Sequence, residues 1–333
     1  MIFAGFFWRT WLPGLTEFTL EQHRSLTARR LLLTVLKNTD PVMRGIGKYL
    51  VPDFTEGFDE NFLFFISEET KKNSSGPDEP ETENDAIRAV NISALSGIYT
   101  QVNGTAIANA TDFEVEDYLD QTVEMPQFTA GKPSILIYHT HTTECYRNED
   151  GITNSRDPER NVVAVGEAMA KVFRAAGYET IHITEIFNEP DFMSAYSTAR
   201  KTVEKVLKEN PTVQVVLDIH RDSISEGGVD YYPVTEIEGG KAAQVMIVCG
   251  TDAKGLDHPD WPKNFAYGLA VSRKMGELYG QLSRPVNLRR DRFNTHFTPY
   301  TLLLEVGSSA NTLDQAKLGA ECTARAMIAL WNE

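Results

Sequence analysis

The chain has 333 residues, 41% of them hydrophobic, and a formal net charge of −15 from 32 Lys and Arg against 47 Asp and Glu. That length suits one large α/β domain with extra elements, and the acidic balance argues against a nucleic-acid partner, because phosphate binding needs a basic face. Three cysteines without a Cys-x-x-Cys pair exclude a thiolate zinc ribbon or thioredoxin-like motif, and no run of 18 apolar residues offers a membrane span.

In chain order, residues 1–66 read as an N-terminal extension. Met1 to Leu15 is apolar but interrupted by Arg9, which fits a truncated membrane-proximal region or an ordinary amphipathic start. Leu20 to Leu36 carries apolar residues at helical spacing. Residues 67–86 (SEETKKNSSGPDEPETENDA) are polar, charged and interrupted by Pro, Gly and Ser, which predicts a flexible linker. Residues 87–333 are the predicted catalytic domain, and their first part, 87–130, has a mixed pattern. Asn-x-Ser/Thr sequons begin at Asn73, Asn91, Asn103 and Asn109; in an Asn/Thr-rich stretch they read as chance.

From Lys132 onward strands and helices alternate. Ser134–His139 (SILIYH) is an apolar run of strand length, and 161–176 has apolar residues at 3.6 spacing, ending at Gly177. Then follow a strand at 178–184, a helix at 191–208, a buried strand at 212–220 (TVQVVLDIH) and a strand at 243–250. A helix within 261–283, a short strand at 301–305 and a closing helix at 311–331 complete the chain. This order predicts an α/β fold, a largely parallel or mixed sheet flanked by helices on both faces.

Three of these strands end in residues able to bind a metal or move protons. The first runs into His139, His141 and Glu144. The second ends in His220, flanked by Asp218, Arg221 and Asp222. The third ends in Glu305. In open α/β sheets ligands sit beyond the carboxyl ends of the strands, so these groups can meet at one point. His139 and His141 are two residues apart and face the same way in an extended chain, within reach of one ion. Catalytic zinc takes three N/O ligands and leaves a position for a water that it acidifies. Glu305, alone on its strand, is the candidate general base. Asp218 or Asp222 is placed to hold the free nitrogen of His220.

Each residue alone has a plainer reading: a strand-end His is more often a hydrogen-bonded core residue, Glu144 can cap a turn, and Glu305 can pair with Arg221 or Arg292. The coincidence of three strand ends favours the metal site. His182 reads as structural, His258 as a loop residue, His296 as a substrate or loop-shaping residue, and His23 lies far from the domain. Cys145 beside Glu144 suggests a Cys–His nucleophile but has no oxyanion motif around it. No GxSxG, GxxxxGK[ST] or GxGxxG unit is present, and iron(II) in a two-His-one-carboxylate site is an alternative to zinc.

The blocks ILIYHTHTTECY, RNVVAVGEAMAKVFRAAGYET, VVLDIHRDS and LLLEVGSSANT resemble, in order and rough spacing, those of the stage II sporulation protein P family. The resemblance covers residues from about 90 to the end. It implies a fold like that of zinc-dependent N-acetylmuramoyl-L-alanine amidases, cutting the amide between the muramic lactyl group and L-alanine of peptidoglycan, with endopeptidase activity on cross-links. It further implies action in septal wall thinning at the extracytoplasmic face of the sporulation septum, with stage II sporulation proteins D and M as partners. The family's membrane anchor is not evident here. By the same resemblance His141 rather than His139 and His220 fall on zinc positions, and Glu305 on the catalytic carboxylate. The glutamate ligand falls on Glu144, with Glu159 as alternative. The rivals are another metallopeptidase of this fold and a non-catalytic wall-binding scaffold.

Overall fold

A computed structural model of the chain describes residues 87–92, 99–102, 104–118, 123–147, 151–226 and 228–333. The N-terminal extension (1–66), its helical stretch, the linker (67–86), His23, Asn73 and Asn103 lie outside the described residues.

The apolar runs pair into an eight-stranded mixed sheet. Its strands are β2 (Thr100–Val102), β3 (Thr105–Asn109), β4 (Pro133–Tyr138), β5 (Glu179–His182), β6 (Val215–Asp222), β10 (Val245–Gly250), β11 (Val286–Arg289) and β12 (Tyr300–Ser308), in the spatial order β2-β3-β11-β10-β12-β6-β4-β5. The pairs β12–β6, β6–β4 and β4–β5 are parallel, whereas β10 runs antiparallel to β12 and β2 antiparallel to β3. A small second sheet joins β1 (Ile87–Val90) and β7 (Ser225–Glu226) to β8 (Val229–Ile237), with β9 (Gly240–Ala243) pairing on β8. The sequence reading lacks this small sheet and β11, and it merges the end of β9 with β10. Short strands with mixed polarity carry little periodic signal.

Alternation along the strands sorts the two faces of the large sheet. Ile135, Ile137, Val215, Leu217, Ile219, Leu302 and Leu304 point to one face, into the main core. Three helices cover that face: α1 (Val162–Ala175), α3 (Trp261–Tyr279) and α4 (Leu313–Trp331). Their ends are set by local chemistry. Asn161 caps α1 by accepting from Val163 N at 2.9 Å, and Thr312 with Gln315 forms a capping box on α4. Burying a side chain the size of Phe173 stabilises by about 1.5–3 kcal/mol.

Leu136, Tyr138 and Val216 point to the other face and meet one helix, α2 (Ala195–Glu209), through Ala199 and Val203. The predicted two-sided cover is therefore uneven, three helices against one. The thinly covered face is the one onto which Asp218, His220 and Glu305 project. No described helix is long and apolar enough to cross a membrane.

Candidate active site

Strand register brings the first two groups together. β6 and β12 are parallel neighbours, and His220 is the register partner of Glu305. Direct partners in adjacent strands project to the same face, so the two side chains share one surface. One strand further, Tyr138 of β4 is paired with Asp218.

Beyond Tyr138 the chain turns instead of staying extended. Glu144 N donates to His141 O at 3.0 Å and closes the turn, and the Thr142 hydroxyl lies 2.8 Å from His139 O. Asp218 fixes the start of this turn, accepting from Thr140 N at 2.8 Å and from the Thr140 hydroxyl at 2.6 Å. The turn swings Glu144 back over β6. Its Oε2 lies 3.5 Å from His220 Nδ1 and accepts from Arg221 N at 3.2 Å. His141 lies beside them, its ring 5.3 Å from that of His220 and edge-on to it, and stacked at 4.1 Å on Phe192. Tyr196, near the start of α2, meets the His141 ring edge-on at 5.5 Å.

The turn also separates the two histidines that extended geometry would align. His139 is fully buried, with Nδ1 on Ile219 O at 3.0 Å and Nε2 on His182 Nε2 at 2.8 Å. His182 in turn meets Glu167 at 3.1 Å. Both nitrogens of His139 are engaged away from His141 and His220, so the expectation that it reaches the same ion fails on geometry. The period-two argument holds only while the strand continues, and β4 stops at Tyr138.

The remaining sequence candidates divide clearly. Asp218 lies 2.9 Å from His220 Nε2, though out of line for a good hydrogen bond. Asp222 is turned aside into a buried ion pair with Arg284 at 2.8 Å. Arg221 holds the loop behind Glu144, donating to Cys145 O at 3.2 Å and Thr153 O at 3.0 Å. Glu159 is exposed and lines a separate cleft with Glu167, Lys171 and His182, away from His141 and His220. The Cys145 thiol is bonded to Ile152 O at 3.3 Å, and burial raises its pKa, so it is a poor nucleophile. Phe192 and Tyr196 line the site without any motif in the sequence that marks them.

Electrostatics follow from burial and from who faces whom. Burial alone would lower the pKa of His220, but the carboxylates of Asp218 and Glu144 outweigh it and hold the ring well above the ordinary range. Burial, reinforced by the charge on His220, takes His141 down to about 4. Burial raises Glu305 to about 8, helped by Asp222 and Glu144 and opposed by His220. Among the described residues, His141 Nδ1, His220 Nε2 and Glu305 Oε2 are buried here without a hydrogen-bond partner.

This donor set fits a divalent cation in kind. It offers two imidazoles and a carboxylate, with a nitrogen of each imidazole, His141 Nδ1 and His220 Nε2, buried and unbonded. The 3.5 Å between His220 Nδ1 and Glu144 Oε2 is close to the separation of two ligands on a tetrahedral ion with bonds near 2.0–2.1 Å, about 3.4 Å. Among the described residues no three such groups are already gathered as a metal site.

The family model for stage II sporulation protein P matches residues 59–328, a span containing every residue of this site. The chain belongs to the stage II sporulation protein P family. The stage II sporulation protein P of Bacillus subtilis (strain 168) is 27% identical over 213 residues, 60% of this chain and 51% of that protein. The chain thus spans about half the length of this curated relative. Among solved structures it is similar to the N-acetylmuramoyl-L-alanine amidase AmiC2 of Nostoc punctiforme, with 11% identity over 62% of this chain and 100% of that one and a TM-score of 0.37. It is also similar to the CwlD amidase of Clostridioides difficile in its complex with the GerS lipoprotein, with 13% identity over 60% and 94% and a TM-score of 0.38.

Proposed function

We propose that this member of the stage II sporulation protein P family is a zinc-dependent peptidoglycan hydrolase, an N-acetylmuramoyl-L-alanine amidase that thins the septal wall during sporulation. The observation that carries the reading is the register pairing of His220 with Glu305, with Glu144 folded over onto the same His220. His141, His220 and Glu144 would hold the ion, and Asp218 would orient His220. Zinc bound there supplies a Lewis acid and an acidified water.

Glu305 has an unbonded buried oxygen and a pKa raised to about 8, chiefly by burial. A cation bound nearby would lower that value, and the ionised carboxylate would accept a proton from water as the oxygen attacks the lactyl carbonyl carbon. As the carbon–nitrogen bond breaks, it would pass that proton to the leaving alanine nitrogen. The products are a lactyl carboxylate on the glycan and a free peptide amine. Phe192, flat against His141, and Tyr196 would wall this face from bulk water. Endopeptidase activity, location on the extracytoplasmic side of the septum, and association with stage II sporulation proteins D and M belong to the same proposal and rest on family resemblance.

Two substitutions test it on soluble muropeptides. Glu305→Gln keeps shape but accepts no proton, so the protein should bind zinc normally and lose about 10²–10⁴ in rate. His220→Ala should lose both zinc and activity. Full zinc occupancy in His220→Ala, or wild-type turnover in Glu305→Gln, overturns the assignment of that residue.

A further inference from the structure

A second group of polar side chains on the same face takes no part in the site above. Tyr196 and Arg200 stand one turn apart on α2, and the charge of Arg200 acts on Arg292 and His296 in the loop between β11 and β12. Among the described residues, three buried nitrogens in this cluster lack a hydrogen-bond partner: Arg200 Nε, Arg292 Nε and His296 Nδ1. The nearby acidic groups do not satisfy them. Glu204 lies 3.7 Å from Arg200 Nε and is 55% exposed, and Asp257 offers Arg292 a backbone carbonyl at 3.0 Å to a different nitrogen. Burial, and then Arg292, His258 and Arg200, bring His296 down to about 4. Burial and Arg200 lower Arg292. Arg200, whose side chain is 39% exposed, and Arg292, whose charge Asp257 and Glu204 partly offset, keep guanidinium donors that an anion could take up beside the neutral His296 ring.

The loop is also built to hold this arrangement. Phe293 and Asn294, between Arg292 and His296, have φ of 47° and 58°, a region in which non-glycine residues are strained. Such strain persists only where the surroundings enforce it, and it concentrates at functional sites. Here Asn294 donates to Tyr196 O at 2.8 Å, Thr295 N donates to Arg292 O at 2.9 Å, and Thr295 Oγ1 meets His258 at 3.1 Å. Under the loop lies Gly250, where a Cβ would collide with the Arg292 carbonyl. The Phe293 ring lies 5.8 Å from Tyr196, whose ring also meets His141. Arg200 therefore stands one helical turn from Tyr196, which borders the candidate active site.

We propose that Arg200, Arg292 and His296 form a subsite that binds a free carboxylate of the stem peptide while its amide lies at Glu305. This rests on the peptidoglycan amidase reading and adds a substrate requirement: an acidic peptide. Two guanidinium groups on separate elements suit a carboxylate, which accepts from both sides. Their distance from the reacting bond makes them residues of binding and specificity.

The test compares a muramyl peptide with free carboxylates and the same peptide with its carboxyls converted to amides, using the full chain. Wild type should prefer the acidic peptide by about 10- to 100-fold in kcat/KM, mostly through KM. Arg200→Gln and Arg292→Gln should lose that preference while handling the amidated peptide as wild type does. Arg200→Gln lies on a regular helix and guards against loop disruption in Arg292→Gln. Calorimetric binding of both peptides to Glu305→Gln, alone and combined with each Arg variant, reads the subsite without turnover. The subsite is rejected if wild type binds both peptides equally, or if the Arg variants weaken both alike. Absence of turnover with retained preference in binding would sink the amidase reading and leave the carboxylate subsite standing.

Discussion

At the scale of single residues, Asp218 has the most to hold. It is 1% exposed, accepts two hydrogen bonds from Thr140 and lies 2.9 Å from His220 Nε2. Asp218→Ala would leave a buried amide, a hydroxyl and an imidazole without their anion. Removing one member of a buried charge pair costs about 3–5 kcal/mol. Chemical denaturation should show a loss of that size, with weaker zinc binding in what remains folded; a loss under 1 kcal/mol would remove Asp218 from this role. The sequence identifies Asp218 as a possible partner of His220, but equally Asp222. Only the structure separates them, because Arg284, 62 residues away in sequence, captures Asp222.

At the scale of elements, α1 must pass close to the strand ends. A Cβ at Gly166 would stand 2.6 Å from His139 Cε1 and 2.8 Å from its Nε2. Alanine in a helix interior normally gains about 1 kcal/mol over glycine. Here overpacking, typically about 1–3 kcal/mol, should win. Gly166→Ala is thus expected to lower the urea midpoint, and a rise would show that α1 does not approach His139 so closely. The segment between β10 and α3, which packs on the β11–β12 loop through His258 and Thr295, carries a pH prediction. His258 is buried and held near 4, first by burial and then by Arg292. A folded value below the unfolded one of about 6.5 means its neutral form stabilises fully above that pH and loses ground as pH falls toward 4. At pH 5 the loss is up to about 2 kcal/mol. The stability gap between wild type and His258→Asn should therefore narrow from pH 7 to pH 5; a constant gap counts against this burial.

At the scale of the whole molecule, the proposed ion would join two separated parts of the chain, the turn after β4 and β6, beneath the cover supplied by α2. A ligand bound only by the folded state stabilises it by RT ln(1 + [L]/Kd), about 4 kcal/mol at a thousandfold excess over Kd. Zinc added to chelator-treated protein should raise the melting temperature accordingly. It should also release protons, since His220 and Glu305 are held protonated near neutral pH by their surroundings. The number released follows from calorimetry in buffers of different ionisation enthalpy. No shift in melting temperature and no proton release would oppose the zinc reading.

Much of the sheet and its helices was legible from periodicity alone, because a strand's alternation and a helix's 3.6 repeat are set by local backbone geometry. The groups His220 and Glu305 were legible for the same reason, but the strand ends expected at them were not: β6 runs on to Asp222 and β12 to Ser308. What needed the tertiary structure was direction and partnership. The turn after Tyr138 parts His139 from His141, and His139 then finds His182, 43 residues further on. Glu144 rather than Glu159 reaches His220 because the turn folds back over β6. The small sheet, β11 and the Arg200–Arg292–His296 cluster join segments far apart in sequence with little repeat of their own. The chain by itself determined which polar groups the apolar strands carry; strand register and the turns between strands, set by packing across the whole sheet, decided which of those groups meet.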